Sequence, residues 1–167
     1  MPGGLRMTHY EYVSKVITKQ TDPRFPRSFQ RFGCRVQCLL AIPQFITGSV
    51  LSVHGIESIL LHALEDPDVV GEHWTAGNDE HWFINEAFRR LGSKRKGRQV
   101  GWTDEHITKR DWEYMIVHWV TDGPDGHFTL FDKRQVEIYD PHDPKQAGYE
   151  INKKEIDRKL VYRTWEI

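Results

Sequence analysis

The reading turns on residues 113–140. Glu113-Tyr-Met-Ile-Val-His-Trp-Val120 is β-prone throughout and is followed by the turn sequence Asp122-Gly-Pro-Asp-Gly126. His127-Phe-Thr-Leu-Phe131 and Val136-Glu-Ile-Tyr-Asp140 then read as two short strands separated by Asp132-Lys-Arg-Gln135. Moving outward, Val161 to Ile167 is a candidate final strand, and Asn152-Lys-Lys-Glu155 has the form of a helix capping box. Residues 93–99, Ser-Lys-Arg-Lys-Gly-Arg-Gln, read as a basic loop, and Thr103 as the cap of a short turn over 104–109.

Towards the N-terminus the period changes to that of helices. Val36, Leu39, Leu40 and Ile42 share a helical face that starts at Gly33 and stops at Gly48, with Pro43 as a weak point. Further helices are predicted over 55–65 and over 79–91, the latter capped by Asn78 or Asp79 and ended by Gly92. A short helix capped by Thr8 carries Tyr10, Val13 and Ile17, and Thr21-Asp-Pro-Arg-Phe-Pro-Arg27 is a Pro-punctuated connector. Helices first and a mostly antiparallel sheet after them make an α+β chain. The expected layout is one domain over 1–167: an N-terminal extension (1–30), a helical part (31–92) and a sheet part (93–167).

Composition narrows the function classes. Apolar residues at 38% and charged residues at 28% fit a globular chain, not a disordered one. With 23 basic against 24 acidic side chains there is no global field to hold nucleic acid. No apolar run approaches a membrane span, and no signal peptide is legible, so no membrane partner and a cytoplasmic location are expected. Two cysteines, Cys34 and Cys38, exclude a disulfide scaffold and point to free thiols in a reducing compartment. Nine histidines raise a metal site, with His73 and His81, or His127, Asp140, His142 and Asp143, as ligand sets. No His-Glu-x-x-His is present, and neither metal nor cofactor is expected.

Cys34 follows Gly33 at the start of a predicted helix, where unpaired N–H groups and the partial positive charge favour a thiolate. Gly33 would leave room for a substrate backbone. A buried, inert Cys34 is the plain alternative. Cys38, one turn on, is expected to face the core. A loop of 132–135, or a two-residue turn with 132 and 135 paired, sets His127 directly opposite Asp140. A loop of three or five residues would shift the register and break that pairing. Facing each other, His127 is the base for Cys34 and Asp140 its orienter. If 120 pairs with 127, His118 lies opposite Thr129 on the face of His127, as a support to that pair, an alternative base, or, the plainer reading, a half-buried strand histidine with a hydrogen bond.

Cys34-Arg-Val-Gln-Cys38-Leu39 at a helix start, with Gly126-His127-Phe-Thr-Leu-Phe131 and Ile138-Tyr139-Asp140-Pro141, resembles the papain-like fold. Within it the pattern is similar to the peptidase domain that cleaves double-glycine leaders from bacteriocins, and to small uncharacterised prophage-encoded relatives. The resemblance implies Cys34 as nucleophile, His127 as base and Asp140 as orienter. That family has Asp before the nucleophile and Gly after it, where this chain has Gly33 and Arg35. Its oxyanion glutamine lies six residues before the Cys. Position 28 is Ser, and Gln30, four before, is the candidate here. The expectation is a cysteine hydrolase acting on a peptide or protein substrate. Its rivals are an inactive, phage- or toxin-derived binding module that engages a host protein, and a nucleic-acid-associated protein using Lys94-Arg-Lys-Gly-Arg98.

Overall fold

A computed structural model of the chain describes residues 8–102 and 111–166. These residues form six helices, one 3-10 turn and five strands, with five of the helices ahead of the sheet and one short helix between its last two strands. They are α1 (His9–Val16), α2 (Arg27–Phe32), α3 (Cys34–Thr47), α4 (Val53–Ala63), the 3-10 turn Glu72–Trp74 and α5 (His81–Arg90). Then come β1 (Lys96–Trp102), β2 (Tyr114–Thr121), β3 (His127–Asp132), β4 (Glu137–Tyr139), α6 (Pro144–Ala147) and β5 (Lys153–Trp165). The fold is α+β. The sheet has the order β1-β5-β2-β3-β4 and every pairing in it is antiparallel.

α3 is the centre of the molecule. Residues Val36 to Phe45 are all buried, so this helix has no solvent face and must be enclosed. Pro43 removes one backbone donor from it. Gln44, also buried, braces the same turn: its Nε2 donates to the Leu40 carbonyl at 3.0 Å and its Oε1 accepts from Leu51 N–H at 2.8 Å. Gly48 ends the helix at φ 72°, a left-handed position that suits glycine.

The stretch expected to be an extension joins the core. Val13, Ile17, Phe25 and Phe29 are buried against α3 and its neighbours. A six-residue helix such as α2 is unstable alone. Phe29 anchors it, ring on ring with Phe25 and with Trp74, each at 5.1 Å. Burying such a side chain contributes roughly 1.5–3 kcal/mol. This packing also revises the reading of Gly33. A Cβ there would sit 2.5 Å from the Phe29 ring and from the Phe29 carbonyl, so the space Gly33 leaves is filled by Phe29 and not by a substrate.

Three local expectations change. α5 has Glu80 at its N-cap position with no side-chain cap; Asn78 and Asp79 lie in the preceding turn. The basic stretch is not a loop beyond Arg95, because β1 begins at Lys96 and pairs with β5. Within it Arg95 donates to Thr164 Oγ1 at 2.8 Å and pairs with Glu166. Residues 152–155 do not start a helix, since β5 runs unbroken from Lys153 to Trp165 between β1 and β2. Sheet pairing with β2 overrides the local capping pattern. The turn expected over 104–109 lies outside the described residues.

No helix among the described residues is long and apolar enough to cross a membrane.

Candidate functional site

Cys34 is the first residue of α3, so its N–H has no partner within that helix. The residue is 7% exposed. His127, the first residue of β3, is 2% exposed. Its Nε2 meets Asp140 Oδ1 at 2.6 Å, and Cys34 lies close enough to help raise the imidazole's pKa. With Nε2 taken by the carboxylate, Nδ1 is the ring nitrogen left for the sulfur. Three residues drawn from α3, β3 and the end of β4 are therefore brought together.

The register that achieves this differs from the expected one. Asp132 N–H donates to the Val136 carbonyl at 3.0 Å, which leaves a three-residue loop closed by Gln135 at φ 62°. That loop slips the pairing by one residue, to Phe131 opposite Glu137. A bulge then slips it by one more, to Leu130 opposite Tyr139. One slip turns every side chain to the other face, and the second turns it back. Asp140 thus lies diagonal to His127 and not directly opposite, within reach of its imidazole.

Asp140 is held at every oxygen. Oδ1 also accepts from His142 N–H at 3.0 Å, Oδ2 from Lys153 Nζ at 3.2 Å, and the main-chain oxygen from Lys19 Nζ. Burial alone would raise this carboxyl's pKa. The hydrogen bond and charge of His127, the His142 amide and Lys153 outweigh burial and hold it well below the usual carboxylate range. For His127 the balance runs the other way. Burial would lower its pKa, but hydrogen bonds and charges from Asp140 and Cys34 carry it up to about 9. At neutral pH the ring is an imidazolium between two acidic partners.

These shifts set a pH signature. The raised His127 contributes stability that is complete below about 6.5 and is lost as pH climbs through about 9. The lowered Asp140 contributes stability present above about 3.8 and lost as pH falls further. The melting-temperature gap between the wild type and His127→Gln is therefore expected to be widest from about pH 4 to 6.5. It should narrow towards pH 9. Thermal melts across that range check it, and a gap that widens with pH contradicts the charge assignment.

Cys38 lies one turn into α3, fully buried, with its thiol against the Phe128 carbonyl at 3.7 Å. Burial pushes its pKa well above that of an ordinary thiol, so it stays protonated. Gln30 does not present a free amide to Cys34. Its Nε2 donates to the Phe25 carbonyl at 2.7 Å and its own carbonyl accepts from Gln20, so it braces the entry to α2. His118 is displaced from its expected place, because Trp119 and not Val120 pairs with His127. His118 bonds Asp157 Oδ2 through Nδ1 at 2.8 Å and lies on the Phe128 ring at 4.5 Å. Among the described residues no group of three or more His, Cys, Asp and Glu gathers as a metal site.

Sequence reasoning missed Lys19, His142 as an Asp140 ligand, and Lys153. Lys153 was hidden inside the capping-box pattern. Lys19 belongs to a strap, 18–21, laced to the Asp140 segment. Gln20 N–H donates to the Pro141 carbonyl at 2.9 Å, and Tyr139 Oη and Gln37 Nε2 both donate to the Thr18 carbonyl. Thr21 Oγ1 accepts from Asp143 N–H at 3.0 Å. No local pattern in the connector signals these long-range bonds.

Comparison with known families, with curated proteins and with solved structures finds no match.

Proposed function

We propose that the chain is a cysteine hydrolase of papain-like fold that cleaves a peptide or amide bond in a peptide or protein substrate. The observation that carries this reading is the His127–Asp140 pair at 2.6 Å, with Cys34 near enough to help raise the imidazole's pKa. The Cys34 thiolate attacks the carbonyl carbon, and the developing oxyanion faces the N–H at the first turn of α3. His127 gives its proton to the amine nitrogen as the C–N bond breaks, leaving a thioester on Cys34. His127, now neutral, takes a proton from water as the water oxygen attacks the thioester. The acid leaves and the thiolate–imidazolium pair is restored. Asp140 keeps Nε2 protonated and the ring in plane throughout.

The test is alkylation by iodoacetamide at pH 7, followed residue by residue by mass spectrometry. Cys34 is expected to label while Cys38 stays protected until the protein unfolds. His127→Ala should slow Cys34 labelling by about 100-fold, the low end of what a positioned acid–base partner supplies. The small exposure of Cys34 favours a second reading, an inactive papain-like module that engages a host protein. Labelling of Cys34 no faster than Cys38, or unaffected by His127→Ala, would decide for that module.

A further inference from the structure

A cleft of about 250 Å³ opens beside His127, between the β2–β3 turn (121–126) and the segment 149–152. It is smaller than the roughly 300–1,000 Å³ that encloses a whole small ligand. The space suits one side chain. Both walls are fixed, and one is fixed to the acid–base pair. Asn152 Nδ2 donates across the cleft to Asp122 at 2.7 Å. His142, whose N–H holds Asp140, donates from Nε2 to the Tyr149 carbonyl at 2.8 Å and packs on the Tyr149 ring at 4.9 Å.

His127 is itself part of the wall. In the reaction above it hands its proton to the leaving amine, so the amine half of the substrate lies on this side of the sulfur. The charge of the lining says what that half carries. Asp122, Asp125 and Glu150 line the cleft against one cation, Arg31. Asp122 is occupied by Lys154 at 2.8 Å. Asp125 meets Arg31 at 3.7 Å with both side chains more than half exposed, a weak pair that an incoming cation displaces at little cost. Glu150 has no ion-pair partner among the described residues. Pro124 and the half-open Tyr149 ring flank the path to these carboxylates and suit a methylene stem that ends in a cation.

We propose that this cleft is the leaving-group subsite and that it selects a basic residue, lysine or arginine, on the amine side of the scissile bond. The assignment rests on the hydrolase reading. The test charges Cys34 with N-acetylglycine 4-nitrophenyl ester and lets water compete with an added amine for the thioester. The α-amine nitrogen attacks the thioester carbonyl, the C–S bond breaks, an amide forms, and the amine proton passes to His127, regenerating the ion pair. An amine that fits the leaving-group subsite captures more of the acyl group. Lysinamide and norleucinamide at equal concentration differ chiefly in the terminal charge. Acetylglycyl-lysinamide is expected in about tenfold excess over acetylglycyl-norleucinamide, what one charge-assisted contact supplies. In Asp125→Asn/Glu150→Gln the ratio should approach one, and because it is read within one variant, changes in acylation cancel. A ratio near one in the wild type, or one that survives the double substitution, overturns the subsite alone. Absence of a nitrophenol burst that depends on Cys34 overturns the hydrolase reading and the subsite with it.

Discussion

Cys34→Ala is expected to abolish the nitrophenol burst from N-acetylglycine 4-nitrophenyl ester and to lower its turnover by roughly 10³-fold or more. The size follows from what is removed. Without the sulfur no thioester forms, and His127 and Asp140 are left to polarise a water in a pocket built around a larger atom. The imidazolium, with its pKa near 9, also loses one of the two acidic partners that raise it. Cys38→Ala is the control, because that thiol is buried, protonated and turned to the Phe128 carbonyl. It should keep the burst. A Cys34→Ala protein that retains turnover within about tenfold of the wild type would remove the nucleophile from the reading.

The largest expected effect on stability comes from the residue next to it. Arg35 reaches from the first turn of α3 to Glu80, Nη2 to Oε2 at 2.7 Å, and its guanidinium lies 5.5 Å from the centre of the Phe128 ring. The two side chains are 17% and 6% exposed, and Glu80 also accepts from the Tyr162 hydroxyl at 2.8 Å. Arg35→Met leaves Glu80 charged and enclosed with a phenol as its one remaining partner. Removing one member of a buried pair costs roughly 3–5 kcal/mol, whereas replacing both is often neutral. Urea denaturation should therefore show Arg35→Met destabilised by about that amount and Arg35→Met/Glu80→Gln much less so. Equal losses in the two variants would mean that Arg35 acts through packing on Phe128 and not through charge.

The legible parts of the fold were those where local pattern and tertiary burial agree. Val36, Leu39, Leu40 and Ile42 describe α3, and Asp122 to Gly126 describe the β2–β3 turn, because the residues that set these elements are near neighbours in sequence. β5 was half legible. Its end from Val161 onward reads as a strand, but 153–159 is almost wholly exposed and polar. It is a strand because β2 pairs with it throughout, and that is invisible in its own residues.

The site was legible for a related reason and by a partly mistaken route. His127 and Asp140 flank a hairpin, so any register of the right parity brings them near each other. The direct opposition expected from a four-residue loop gave way to a three-residue loop plus a bulge, and parity survived. His118 had no such protection: a single slip carried it to Phe128 and Asp157. Gln30 was chosen for its side-chain amide despite a shifted spacing, and residue type carries no information about the Phe25 carbonyl that takes that amide.

The position of β5 governs when the sheet can close. Residues 153–165 lie between β1 and β2, so during synthesis the nascent chain holds two strands whose shared neighbour has not yet been made. Contacts of such sequence separation form late and slowly. Lys153, the cation on Asp140 Oδ2, opens that same strand. The helix start that carries Cys34 is thus made well before β5, and Lys153 can reach Asp140 only once that strand has docked.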